Sequence, residues 1–124
     1  MDNKKEKTAE QIAKEARELV IKQLTKRFPE FPKWEKEYAP RKLNYIEVED
    51  KCAILRPIGA KEISEYSMAL VDPTKGMEVA TRYLLEELWI DGDNELRDDE
   101  DFFIGAMLQM QNVIETKKSH FIKL

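Results

Sequence analysis

The stretch that decides the fold runs from Asp72 to Gln111 and reads DPTKGMEVATRYLLEELWIDGDNELRDDEDFFIGAMLQMQ. Its apolar residues recur at three- and four-residue steps in two blocks, which predicts two amphipathic helices joined by an acidic loop. We expect the first helix to begin at Asp72-Pro73-Thr74 and to end just past Trp89-Ile90. We expect the second helix to begin at Asp98 or Asp99, where an acidic side chain favours a helix start.

Both helices carry broad apolar faces. The first has one apolar line flanked by further apolar residues, and so wide an arc predicts burial on more than one side. That line is Met77, Ala80, Leu84 and Leu88, with Val79, Tyr83 and Leu85 beside it. The second helix is predicted to turn Phe103, Ala106, Met107, Met110 and Ile114 toward the core. Met68, Met77, Met107 and Met110 are interpreted either as core filling, which we slightly prefer, or as an adaptable binding surface.

The segments before this stretch supply its expected partners. Residues 42–48 alternate apolar and polar side chains, and residues 51–56 contain a short apolar run, which predicts a two-stranded hairpin. Residues 60–71 are predicted to form a helix that ends before Pro73. Because two strands alone are marginal, helices must cover one face. The predicted class is therefore α+β: a helix-rich small domain of about four helices with one short two-stranded antiparallel hairpin.

The first forty residues are predicted to form a tail, a helix and a connector. Residues 1–7 are charged and polar, so we expect a disordered tail. Thr8 and Gln11 match a capping box that opens a helix reaching about Arg27. The apolar stripe of that helix consists of Ile12, Ala13, Ala16, Leu19, Val20 and Leu24. Residues 8–124 are expected to form a single domain.

Residues 28–40, FPEFPKWEKEYAP, combine prolines with aromatic side chains. The favoured interpretation is a rigid connector whose aromatic side chains pack on the core. In the alternative, Trp34 and Tyr38 are exposed anchors for a partner protein, because aromatic residues are enriched at interface hot spots.

Composition excludes several classes of protein. The chain has 124 residues, 37% of them charged, and a net charge of -4. This disfavours nucleic-acid binding, which needs a clustered basic surplus. No run approaches the ~20 apolar residues of a membrane-spanning helix, and a single cysteine allows neither an internal disulfide nor a cysteine-based zinc site. A cytoplasmic protein that binds no membrane is expected.

No residue pattern points to catalysis. Asp91, Asp93 and Glu95 have the alternating spacing of a calcium loop, but Leu96 and Phe102 replace the glycine and glutamate that such a loop requires. His120 is the only histidine and has no second residue of a catalytic triad at a recognisable spacing. We therefore predict no metal, no cofactor and no enzymatic activity.

The stretch AILRPIGAKEISEYSMALVDPTKGMEVATRYLLEELWIDGDNELRDDEDFFIGAMLQM resembles small tail assembly chaperones of long-tailed bacteriophages and prophages. These proteins are similar to this chain in four features. They have a short hairpin with an "AILRPI"-like strand, a helix ending in "MAL…DP", a helix ending in "LW…GD", and an acidic segment that leads into a final helix. The resemblance covers about residues 43–124 and does not extend to residues 1–40.

The resemblance implies a binding protein that keeps apolar stretches of the helical tape-measure protein soluble while tail-tube protein subunits assemble around it. It also implies that the protein is located in the cytoplasm of a bacterial host and is a possible homo-oligomer. The expected partner-binding residues are Trp89, Phe102 and Phe103, or Trp34 and Tyr38 of the connector. The alternative is a small adaptor or regulatory protein of a mobile element that binds a globular partner.

Overall fold

The computed structural model describes the backbone of residues 8–122 and the side chains of residues 8–115. The predicted tail of residues 1–7 and the side chain of His120 lie outside this described part. The described residues form two compact units, which divide between Ala39 and Pro40. That the two make one domain stays a prediction.

The first unit contains two helices, α1 (Ala9–Arg27) and α2 (Phe31–Tyr38). The capping box at the start of α1 is confirmed. The Thr8 hydroxyl accepts a hydrogen bond from the Gln11 N–H at 3.1 Å, and the Gln11 side chain accepts one from the Thr8 N–H at 3.0 Å. Helix α2 lies within the segment that was predicted to be a rigid connector. A proline in the first turn is compatible with a helix, since the N–H that it lacks has no partner there in any helix.

The second unit is built on a three-stranded antiparallel sheet, with β1 (Asn44–Val48), β2 (Lys51–Leu55) and β3 (Trp89–Gly92) in that order. The predicted hairpin of β1 and β2 is confirmed. The prediction of two strands is wrong by one strand, because the chain that leaves the helix predicted to begin at Asp72 pairs with β2 instead of entering a loop. Gly92 faces Ala53 in this pairing, with φ at +157°. A Cβ at position 92 would lie 2.5 Å from the Ala53 Cβ, so the close approach of the strands requires glycine.

Four helices complete the second unit: α3 (Ala60–Val71), α4 (Gly76–Leu88), α5 (Glu95–Asp98) and α6 (Glu100–Ile122). The described residues therefore form six helices instead of about four; the additional ones are α2 and α5. Helix α4 begins later than predicted, because the Asp72 carboxylate accepts hydrogen bonds from the N–H and hydroxyl of Thr74. These bonds stabilise a turn in place of the first helical residues.

The core lies between the sheet and helices α3, α4, α5 and α6. Its largest fully buried side chains include Ile46, Leu55, Tyr66, Leu84, Leu88, Leu96, Phe103 and Met110. Helix α6 approaches β1 closely: a Cβ at Gly105 would lie 2.5 Å from Val48 Cγ1. The Gln109 side chain also accepts a hydrogen bond from the Glu47 N–H at 3.4 Å. The α+β, helix-rich class is confirmed.

Candidate functional site

Helices α3 and α4 leave an open groove on the surface of the second unit, with a cavity of about 480 Å³. The two helices run as a hairpin joined by the short turn at Asp72–Lys75, so one long edge of each helix faces the same opening. The lining residues are Glu65, Met68, Ala69, Asp72, Lys75, Val79 and Tyr83. The groove has an apolar centre and a charged rim.

The apolar centre is unusually exposed. Met68 is 70% exposed and Val79 is 47% exposed, while Ala69 and Tyr83 are partly buried beside them and pack against the core. Val71, one turn from Met68 on α3, is 82% exposed and extends the apolar surface beyond the groove. Contiguous exposed apolar groups of this kind mark interaction sites more often than accidental surface.

The carboxylates of the rim already have partners within the groove. Glu65 accepts a hydrogen bond from the Tyr83 hydroxyl and lies 4.0 Å from the Lys61 ammonium group. Asp72 accepts hydrogen bonds from the Thr74 hydroxyl at 2.6 Å and the Thr74 N–H at 2.8 Å. These two bonds, and then the charge of Lys75, hold the pKa of the Asp72 carboxyl below its ordinary value.

This arrangement is suited to binding. The rim carries two carboxylates, Glu65 and Asp72, and one ammonium group, Lys75, which lies 4.0 Å from Asp72. Within the described residues, no three side chains of the histidine, cysteine, aspartate or glutamate type lie together as a metal site. The groove can therefore desolvate apolar side chains at its centre and accept hydrogen bonds or ion pairs at its edges.

None of the five predicted partner-binding residues lines this groove. Trp34 and Tyr38 lie on α2 and are partly buried, with the Trp34 ring centre 6.2 Å from that of Phe28. Trp89 and Phe102 are partly buried and pack against the core of the second unit. Partner binding by these four residues stays a prediction.

Phe103 requires a correction. The expectation that it belongs to exposed apolar groups is wrong, because only 2% of it is exposed and its ring lies inside the core under the Arg82 guanidinium, 4.0 Å away. The prediction from helical spacing, which turned the same residue toward the core, is confirmed. Arg97 covers the Trp89 ring in a similar way at 3.9 Å.

The groove residues were missed because two helix faces were assigned to burial. The wide apolar arc of α4 predicted burial on more than one side, but Val79 and Met77 are 47% and 48% exposed. The methionines divide between the two interpretations, with Met110 buried and Met68 exposed. The one available signal was that Met68 lies off the line of α3 residues that reach the core.

No family model, no curated protein and no solved structure matches this chain. Among the described residues, no helix has both the length and the apolar character needed to cross a lipid bilayer.

Proposed function

We propose that this chain is a non-enzymatic binding protein whose α3–α4 groove holds an amphipathic helix of a partner protein. The single observation that carries this proposal is the exposure of Met68 and Val79 at the centre of a groove between two helices. An apolar groove between helices is a common receptor for the apolar face of a third helix, which inserts side chains spaced three or four residues apart.

The groove defines the chemistry of the helix that fits it. Apolar side chains of the partner would contact Met68, Ala69 and Val79, and lysine or arginine residues beside them would meet the carboxylates of Glu65 and Asp72. An unbranched methionine side chain adapts to different apolar shapes. A surface of this kind suits a partner that presents many related helical segments better than one with a single fixed epitope.

The resemblance to tail assembly chaperones supplies a partner of that chemistry. We infer that the helix comes from a phage tape-measure protein and that binding keeps its apolar stretches soluble until tail-tube protein subunits enclose it. The negative net charge of the chain would keep such a complex soluble. Binding strength would come from apolar contacts, and the charged rim would select basic partner segments.

The test is co-expression of this chain with the tape-measure protein of a long-tailed phage. We expect soluble recovery of that protein with the wild-type chain and a clear loss of recovery with Met68→Lys. Leu108→Lys is the matched control, because Leu108 is 69% exposed against 70% for Met68 and lies on α6, outside the groove.

Affinity for a synthetic tape-measure helix measured by calorimetry should fall about tenfold for Met68→Lys, the effect of losing one well-buried apolar contact. Equal solubility of the tape-measure protein with and without this chain would exclude the chaperone function. Equal losses in the Met68 and Leu108 variants would exclude the groove as the binding site.

A further inference from the structure

Helix α1 exposes nearly all of its apolar stripe. Ile12 is 56% exposed, Leu19 57% and Val20 47%, and Ala13 and Ala16 between them are also exposed. Of the residues in this helix only Leu24, near its end, is buried. Helices gain most of their stability in water by packing an apolar face, and α1 leaves this face open over most of its length.

The sizes of the side chains differ between the two halves of the stripe. After Ile12 the first half carries the small residues Ala13 and Ala16, and the second half carries the larger residues Leu19 and Val20. In an antiparallel pair of identical helices the small half of one faces the large half of the other, so the surfaces interdigitate. A parallel pair in register would oppose alanine to alanine and leave a gap there.

The charged residues along one edge of the stripe also favour an antiparallel pair. Glu15 and Lys22 are about two helical turns apart, so they lie on the same edge, beside Leu19. In an antiparallel pair with its two-fold axis between these positions, Glu15 of each copy faces Lys22 of the other. In a parallel two-fold pair this edge would face the opposite edge of the partner helix, so Glu15 and Lys22 would not meet.

We propose that α1 pairs with α1 of a second copy of this chain, antiparallel, to form a two-fold symmetric dimer. Ala16 of each copy packs against Leu19 and Val20 of the other, and two Glu15–Lys22 ion pairs flank this contact. The interface is self-complementary, so it closes after two copies and leaves no open surface for further growth. It lies outside the α3–α4 groove and does not depend on the function proposed for that groove.

The first measurement is sedimentation equilibrium of the full chain over a range of concentrations. We expect a reversible monomer–dimer equilibrium in the micromolar range. Leu19→Gln should shift the chain to monomer, and it should keep the wild-type circular dichroism spectrum because Leu19 is exposed within the chain. A chain that stays monomeric at every concentration, or a dimer that Leu19→Gln leaves intact, would overturn the proposal.

Charge reversal tests the antiparallel arrangement. Glu15→Lys and Lys22→Glu should each raise the dissociation constant about tenfold, since each replaces two ion pairs with two repulsive pairs. Glu18→Lys is the matched control: it makes the same charge change on the side of α1 away from the stripe.

Mixing the two weakened variants should restore dimers at the wild-type affinity, because a mixed dimer has lysine opposite glutamate at both positions. The mixture is the decisive sample. Restoration in the mixture, with no effect of Glu18→Lys, is the expected result. If the mixture stays as weak as its components, or if Glu15→Lys is no weaker than Glu18→Lys, the antiparallel arrangement is wrong.

Discussion

At the scale of single residues, the hydroxyl of Thr81 is a buried polar group that lowers the stability of the core. It is fully buried in α4, and the described residues offer its oxygen no hydrogen-bond partner. We expect Thr81→Val to raise the free energy of unfolding by about 1 kcal/mol, because a methyl group of similar shape replaces an unsatisfied hydroxyl. Urea denaturation of the two chains measures the difference.

Thr74→Val is the control for that substitution. The Thr74 hydroxyl donates a hydrogen bond to Asp72 at 2.6 Å, so the same chemical change there should destabilise the turn. Stabilisation in both variants would indicate a general benefit of valine. Destabilisation by Thr81→Val would contradict the prediction and would mean that the hydroxyl has a partner, such as a buried water molecule.

At the scale of elements, the contact between α6 and β1 depends on a glycine. A Cβ at position 105 would lie 2.5 Å from Val48 Cγ1 and 3.0 Å from Val48 Cγ2. Alanine favours a helix over glycine by about 1 kcal/mol, but the clash moves α6 away from the strand that it covers, at a typical cost of about 1–3 kcal/mol. We therefore expect Gly105→Ala to lower the melting temperature.

The double variant Gly105→Ala, Val48→Ala distinguishes this clash from other effects of the added methyl group. Removing the Cγ atoms of Val48 makes room for the new Cβ, so the double variant should lose less stability than the sum of the two single variants. Additive losses would show that the helix and the strand do not compete for this space.

Among the elements, those formed by neighbouring residues could be predicted from the sequence, and strand β3 could not. The capping box of α1 and the β1–β2 hairpin are local signals, since their partners lie within a few residues. Strand β3 is four residues long, begins directly after α4 and pairs with β2 about forty positions earlier in the chain. Nothing within β3 itself specifies this pairing, so helical spacing extended the predicted α4 past Trp89 and Ile90.

At the scale of the whole molecule, the groove could not be predicted from the helical spacing of apolar residues. An apolar residue on a second face of α4 is compatible with a second buried contact or with an open binding surface, and both give the same spacing. Only the packing of α3 against α4 decides that Val79 faces the groove while Leu84 and Leu88 enter the core. Met68 could be placed on a helix from sequence, and its position off the core-facing line of α3 was the one signal of its exposure.

The free energy of unfolding of the chain should fall at both acid and alkaline pH. The shifted pKa values of Asp72 and Lys51 predict these two losses. The pKa of Asp72 is lowered from its ordinary value of 3.8, chiefly by hydrogen bonds from Thr74. Its contribution is present above that ordinary value and is lost as the pH falls through the lowered pKa. The pKa of Lys51 is raised from 10.5, chiefly by its bond to Glu95, so its contribution is present below 10.5 and is lost as the pH rises through the raised pKa.

Melting temperatures of the wild-type chain, Asp72→Asn and Lys51→Gln across the pH range test these signs. Near neutral pH both variants should melt below the wild-type chain by a small amount, because both groups lie at the surface and are screened by solvent. The deficit of Asp72→Asn should disappear in strong acid, where the wild-type carboxyl is also neutral, and should persist at alkaline pH. The deficit of Lys51→Gln should behave in the opposite way, since the wild-type ammonium group loses its charge only at high pH. If the Asp72→Asn deficit instead stays constant down to strong acid, the hydrogen bonds from Thr74 do not depend on the charge of that carboxylate.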